Sequence, residues 1–443
     1  MQIEGEGELD KTEENYAIYS LYPEDVRFIT RFVSTKICVS SKATYKIYNY
    51  DKHILSSLDT FHDKYRSVIF SYPENKLLSF SPPKSIEYAD FTKKYPIIQN
   101  IKYTWCTRSV QIENLIVATE KIEGVSINLF YDTRINSWEI STKTNIGGNY
   151  WYFANSSMRD STKKSSTFYD MFLDALIQPR NTQLNDNPWI RELPKSYSYS
   201  FVLQHPENPI VIPIKSPKLW LVAIYEIRNN CAIHIPSREY KNWPDLMSMM
   251  GVIDFPKELD IRNYQELQKY VSKYSNHPFR LTKGIVLWNE KTGERTLLNN
   301  PNYKELLQLR EMSPSFQYEY LCIKRIGKLT EYMNHYPQHK KMILQMENIY
   351  TEFVKTLHTC YMDVYVFKTE LLNNINPQFR PYVENLHKNI YLHNIRTRNH
   401  MKITKAIVRE YIDKMEPREQ LFVFSYLRRE RDASLKSILY IMK

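Results

Sequence analysis

The hydrophobic pattern of this 443-residue chain changes period near residue 302, and that change limits its fold more than any other feature. Upstream the pattern is strand-like. The stretch VSINLFYD, the turn TRINS and WEISTKT read as a hairpin. PIVIPI and LWLVAIYEI are rich in β-branched and large apolar residues and read as strands. KGIVLW, the turn NEKTGE and RTLL read as a second hairpin. Residues 20–115 mix short apolar runs such as RSVIFSY and KLLSFSPP with turns, and the Pro82-Pro83 pair breaks any helix there. Two helices interrupt the strands. Over 166–178, Phe168, Met171, Phe172, Ala175 and Leu176 share one face, and Pro179 ends it; over 263–274, Tyr264, Leu267, Val271 and Tyr274 do the same. Beyond about 302 the period is 3.6, as in the stripe Ile343, Met346, Tyr350, Phe353, Leu357, Tyr361 and Val364. The expected architecture is therefore α+β, with antiparallel sheets and flanking helices, followed by an all-α domain. The expected organisation is an acidic mobile tail over 1–19, a sheet-rich domain over 20–310 and a helical, basic domain over 311–443.

Several classes are excluded. No run of eighteen apolar residues is present, so no membrane-spanning helix or membrane partner is expected. The first twenty residues carry six acids and one lysine, unlike a signal or transit peptide. The five cysteines, Cys38, Cys106, Cys231, Cys322 and Cys360, are odd in number and form no C-x-x-C, which points to a reducing compartment rather than a disulfide framework or zinc site. The histidines show no H-E-x-x-H spacing, so no metal site is expected from the protein alone; a metal carried in on a nucleotide is compatible.

The net charge of +11 is concentrated toward the end of the chain, where 321–443 hold 21 basic against 12 acidic side chains. Basic residues interleaved with 35 tyrosines and seven tryptophans suit an RNA partner, because cations neutralise phosphates and rings stack on unpaired bases. An AT-rich gene encodes the same composition without any such partner.

Glycine is scarce, at nine residues, and five of them (124, 147, 148, 284 and 293) fall in three short strand-associated segments. Glycine is needed where backbone approaches something closely or takes positive φ, so strand ends lining a shared pocket explain the clustering. Lys121 stands three residues before Gly124, in KIEG. It is either a covalent nucleophile or a solvated lysine before a turn.

Taken together, KIEG with its hairpin, STKTNIGGN, FVLQHPENPIV, KGIVLW and ERTLLNNPNY resemble, in order and spacing, the ATP-dependent RNA ligases of the bacteriophage RNA ligase 1 type, in particular versions carried by large DNA viruses. YRSVIFSYPENKLLSFSPPKSI resembles the phosphate-contacting region of that family, and the similarity covers roughly 60–310. The resemblance implies a covalent nucleotidyltransferase domain, ATP with Mg²⁺ as cofactors, and joining of RNA 5′-phosphate and 3′-hydroxyl ends through a lysyl-AMP. It implies Lys121 as the nucleophile and Arg66, Lys84, Glu123, Gly124 and Lys143 as nucleotide contacts; Lys283 and Arg295, which depart from the family pattern, are further candidate nucleotide contacts because they add positive charge from new positions. Protein partners in a nucleic-acid-processing complex, and a cytoplasmic, viral-factory or virion location, follow from the same resemblance. A capping guanylyltransferase fits less well, since those enzymes carry a small β-barrel where this chain is helical.

The departures bear on activity. A lysine, Lys283, stands where the family has a glutamate before the glycine of its E-G-x-V strand; Leu297 and Asn299 stand where it has two lysines, and Pro209 where it has an arginine. A carboxylate near the nucleophile helps hold the divalent ion, whereas a lysine repels it. A protein of this fold with impaired catalysis, retaining RNA and nucleotide binding, is the expected reading; an active RNA ligase is the alternative.

Overall fold

A computed structural model of the chain describes residues 16–22, 32–40, 42–51, 62–104, 109–150, 166–275, 282–309, 316–396 and 402–424. They divide into two compact units, one ending at 307 and one beginning at 308.

The first unit is built on three sheets. The largest runs in the order Ile18–Ser20, Cys231–Ile235, Lys218–Arg228, Tyr197–Gln204, Val125–Asp132, Ser137–Ser141, all antiparallel, with the short Ile253–Asp254 added parallel to Lys218–Arg228. Both its faces are covered, which is why its strands are apolar on both sides rather than alternating. Ile127, Leu129 and Tyr131 pack with the helix Phe168–Ala175 and Leu219, Leu221 and Ile224. From the opposite face, Ala223, Tyr225 and Ala232 meet Tyr48, Val68, Phe70 and Phe80. Those last residues belong to the second sheet and the turn after it; its strands are Val33–Val39, Thr44–Tyr50, Arg66–Ser71 and Leu77–Ser79. The third sheet, in the order Arg295–Asn299, Gly284–Asn289, Ser109–Glu120, Gln99–Thr104, packs Ile116, Ala118, Ile285 and Leu287 against Phe91 and Leu267 of the helices Tyr88–Lys94 and Tyr264–Ser275.

Both expected hairpins and both expected helices form, the helices at Phe168–Ala175 and Tyr264–Ser275. The capping box of Thr167 and Asp170 starts the first of them. PIVIPI does not form a strand. Prolines 209 and 213 remove two backbone donors from it, and the amides of Val211 and Ile212 are taken by a side chain instead. The expected tail over 1–19 overlaps a strand at its end. Ile18–Ser20 pair with Cys231–Ile233, because this short stretch completes an otherwise bare sheet edge; residues 1–15 lie outside the described residues.

In the second unit the long helix Lys340–Tyr361 buries the expected stripe from Ile343 to Tyr361, while Val364 falls in the π-helical turn Met362–Val366 and is half-buried. Tyr350, Phe353, Leu357 and Tyr361 pack against Val383, Leu386, Val408, Ile412 and Val423. Buried hydroxyls in this core are matched to acids: Tyr350 donates to Asp413 at 2.6 Å and Tyr332 to Glu319 at 2.9 Å. Among the described residues no helix is long and apolar enough to cross a membrane. Cys38, Cys231, Cys322 and Cys360 are free thiols, and Cys106 lies outside the described residues.

Candidate functional site

Lys121 directly follows the strand Ser109–Glu120, and its amide donates to the Gly284 carbonyl at 2.9 Å. Gly284 in turn pairs with Asn299 across the neighbouring strand. Three strand ends thus lie side by side, and the Lys121 ammonium donates to the Asn299 side-chain oxygen at 2.7 Å. The close approach needs glycine. At Gly284, φ is 145° and a Cβ would overlap the Leu298 carbonyl; at Gly124, φ is 152° and a Cβ would overlap the Leu203 carbonyl.

These strand ends open on a cavity of roughly 330 Å³. Seven of the eight residues singled out from sequence line it: Lys121, Arg66, Lys84, Gly124, Lys143, Lys283 and Arg295. The Lys143 ammonium lies 5.7 Å from the centre of the Tyr50 ring, which also lines the cavity. Arg66 donates to the Pro82 carbonyl at 3.3 Å, and Arg295 donates to the carbonyls of Pro82 and Pro83, the latter at 2.9 Å. The same Pro82-Pro83 pair that breaks the chain therefore presents two carbonyls to two guanidinium groups. Arg295 also packs 5.3 Å from the Trp288 ring, whose other neighbour is His234, stacked at 5.2 Å.

Cations dominate this cavity. No carboxylate among the described residues lies within ion-pair distance of Lys121, Arg66, Lys283 or Arg295. Burial lowers the Lys121 ammonium from its ordinary value to about 8, and Lys283, Arg295 and Arg66 push it the same way. At pH 7 about a tenth of Lys121 is then the neutral amine that a nucleophile requires. Burial likewise lowers Arg66, Lys283 and Arg295; the Glu123 carboxylate opposes this at Lys283, and Arg66 adds to the effect on Lys283 and Arg295. The delocalised guanidinium groups stay charged nonetheless.

Glu123 is the exception, and the structure corrects its place among the nucleotide contacts. It is 1% exposed, and its carboxylate accepts from the amides of Val211 at 3.1 Å and Ile212 at 3.0 Å. The loop that fails to become a strand is held by Glu123, which faces that loop because its amides have no other acceptor. Pro209, on the same loop, does not line the cavity. Leu297 does.

Sequence reasoning missed Tyr50, Glu120, His234, Trp288 and Glu290 as cavity residues. Glu120 could have been found, since it adjoins Lys121. His234 and Trp288 sit on strands of different sheets and meet only in the fold.

Phosphates fit this set of side chains better than a divalent ion does, because cations far outnumber carboxylates on the wall. An ion carried on a nucleotide is usually held by one or two carboxylates. Only Glu120 and Glu290 bring a carboxylate to the cavity wall. Glu290 is engaged through one oxygen, which accepts from the Ser237 amide at 2.9 Å and hydroxyl at 2.6 Å; the other is buried without a hydrogen-bond partner among the described residues, 3.7 Å from Arg238. No group of three or more His, Cys, Asp or Glu able to hold a metal occurs among the described residues.

No known protein family and no curated protein matches the chain in sequence. Among solved structures it is similar to an archaeal ATP-dependent RNA ligase, with a TM-score of 0.40 and 10% identity over 76% of this chain and 80% of that one. An RNA ligase of Naegleria gruberi gives 0.30 and 8%, over 63% and 98%. A protein of Aquifex aeolicus assigned as an ATP-dependent DNA ligase gives 0.38 and 10%, over 88% and 79%. Likenesses this distant do not say which residues act, or on what.

Proposed function

We propose that this chain is an RNA-ligase-like nucleotidyltransferase-fold protein that binds the polyphosphate of ATP in the Lys121 cavity, has impaired covalent chemistry, and binds RNA within a larger, viral nucleic-acid-processing assembly in a reducing compartment. One observation carries the nucleotide reading: Lys121, Arg66, Lys84, Lys143, Lys283 and Arg295, drawn from all three sheets and their loops, line one cavity. Phosphoryl transfer depends on positioning and charge stabilisation, which is what such a set supplies. Impairment is supported by the side chains beside Lys121. Leu297 presents no charge to the cavity, and Asn299 offers a neutral amide to the nucleophile. Loss of one stabilising cation costs on the order of 10²–10³ in rate. The surplus of basic side chains over 321–443 supports RNA binding.

A second reading is an active ATP-dependent RNA ligase, favoured by the lowered Lys121 ammonium. There the neutral Nζ attacks the α-phosphorus, the new N–P bond forms as the bond to the bridging oxygen breaks, pyrophosphate leaves with that electron pair, and Nζ loses a proton to solvent. Lys283 and Arg295 would supply cations from positions other than those of the missing lysines. The AMP then passes to an RNA 5′-phosphate, and an RNA 3′-hydroxyl displaces it.

Incubation with α-radiolabelled ATP and Mg²⁺, followed by denaturing separation, distinguishes the two. Impaired chemistry gives reversible binding without stoichiometric covalent label, and partial label once Lys283→Glu, Leu297→Lys and Asn299→Lys are combined. Stoichiometric label in the unaltered chain, abolished by Lys121→Ala, establishes the active ligase instead.

A further inference from the structure

We propose that the Lys121 cavity binds its polyphosphate free of any divalent cation, with Arg66, Lys283 and Arg295 as fixed positive charges in place of an ion. The inference rests on the nucleotide-binding reading above and specifies the ligand form: the metal-free triphosphate rather than its magnesium complex.

Charge counting is the first support. Lys121, Arg66, Lys283 and Arg295 line the same cavity. Seven Lys and Arg side chains line the cavity against two carboxylates, Glu120 and Glu290, and a metal-free nucleoside triphosphate, with about four negative charges, offsets that surplus more fully than its magnesium complex does. A magnesium ion bound to that triphosphate would leave a positive surplus in a half-buried site, where charges are poorly screened.

Donor chemistry is the second. Glu120 is the only cavity carboxylate without a hydrogen bond or ion pair among the described residues, and Lys121 is its chain neighbour. Glu290 is held through one oxygen by Ser237, and its other lies 3.7 Å from Arg238. Glu123, the acid within the KIEG motif, is spent on the amides of Val211 and Ile212.

Rigidity is the third. Arg295 cannot swing aside to admit an ion without giving up its bonds to Pro82 and Pro83 and its contact with Trp288. It is fully preorganised for an anion, and a preorganised donor loses little entropy when the anion arrives.

Magnesium should then weaken binding, because it competes with the protein for the phosphates. The test is isothermal titration calorimetry of the full chain with inorganic triphosphate and with ATP, each in excess EDTA and in excess Mg²⁺. The expected Kd in EDTA is equal to or tighter than that in Mg²⁺. In Lys283→Glu, affinity in EDTA should fall by about tenfold or more, with Mg²⁺ now restoring part of it, since the new carboxylate can hold an ion. Lys283→Gln should lose affinity in EDTA without acquiring a metal response, and circular dichroism confirms that both variants are folded. Wild-type binding that requires Mg²⁺, or tightens tenfold with it, overturns the inference and leaves the nucleotide reading standing. So does a folded Lys283→Glu that responds to Mg²⁺ as the wild type does. Absence of binding under both conditions overturns the inference and the nucleotide reading together.

Discussion

The Lys121 ammonium donates to the Asn299 side-chain oxygen at 2.7 Å, so this half-buried lysine is held by a neutral amide. The resemblance implies a lysine at 299. A lysine there could not accept that bond and would add one more positive charge against Lys121.

The first prediction concerns the protonation of Lys121. Its ammonium is lowered from the ordinary 10.5 to about 8, so its neutral amine appears above pH 8, well before that of ordinary lysines. Amine modification across a pH series, read by peptide mass spectrometry, should show Lys121 titrating near 8. Removing the foremost charged neighbour in Lys283→Ala should move the midpoint upward. A wild-type midpoint at the ordinary lysine value would show that neither burial nor the neighbouring cations act on it.

Glu123 should behave as a structural residue. Glu123→Ala leaves the buried amides of Val211 and Ile212 without an acceptor and should cost about 2–3 kcal/mol in urea unfolding. Glu123→Gln retains an acceptor oxygen and should cost about half as much. Triphosphate affinity of the folded variants should be unchanged or tighter, because the negative charge that acts on Lys283 is removed. A tenfold loss of affinity in folded Glu123→Gln would return this residue to the nucleotide site.

His234 sets an acid limb. Burial lowers it from 6.5 to about 4, so it is neutral in the folded state at pH 6, while the unfolded chain takes up a proton there. The unfolded state binds more protons throughout this window, so stability falls as pH drops from 6.5 toward 4, by roughly 2 kcal/mol at pH 5. His234→Phe should flatten that limb. Urea midpoints measured at several pH values check it, and an unchanged slope would mean that His234 is protonated in the fold.

Lys340 and Lys341 open the long helix and are exposed. Cations at a helix N-terminus oppose its dipole, at about 0.5 kcal/mol each. If these lysines serve RNA, Lys340→Glu with Lys341→Glu should raise stability by about 1 kcal/mol while weakening RNA binding and flattening its salt dependence. Thermal unfolding and RNA titration at two salt concentrations read both effects. Unchanged affinity and slope would remove this helix end from the RNA surface.

The parts of the fold that were legible in sequence are those where one residue type carries the structural need. Gly124 and Gly284 mark strand ends because no side chain fits there, and Gly124 points to Lys121, whereas Lys283 and Arg295 stand out only against the resemblance. The stripe from Ile343 to Tyr361 marks a buried helix face directly. What was not legible depends on pairings distant in the chain. Val211 lies 88 residues from Glu123, and nothing local says that its amide will turn to that carboxylate rather than to a sheet. Asn299 reads in sequence as a missing lysine; only the pairing of Gly284 with both Lys121 and Asn299 makes it the partner of Lys121.

Trp288 stands between the Arg295 guanidinium and the His234 ring, on the wall of the cavity. An indole in that position is a built-in optical probe. An anion that binds beside the fixed Arg295 guanidinium changes the electric field across the ring, and with it the colour and yield of its fluorescence. The chain holds seven tryptophans, and the difference between the wild type and Trp288→Phe isolates the one that borders the cavity. Occupancy of the site can thus be followed in the unlabelled protein, in real time, with ligands that carry no chromophore.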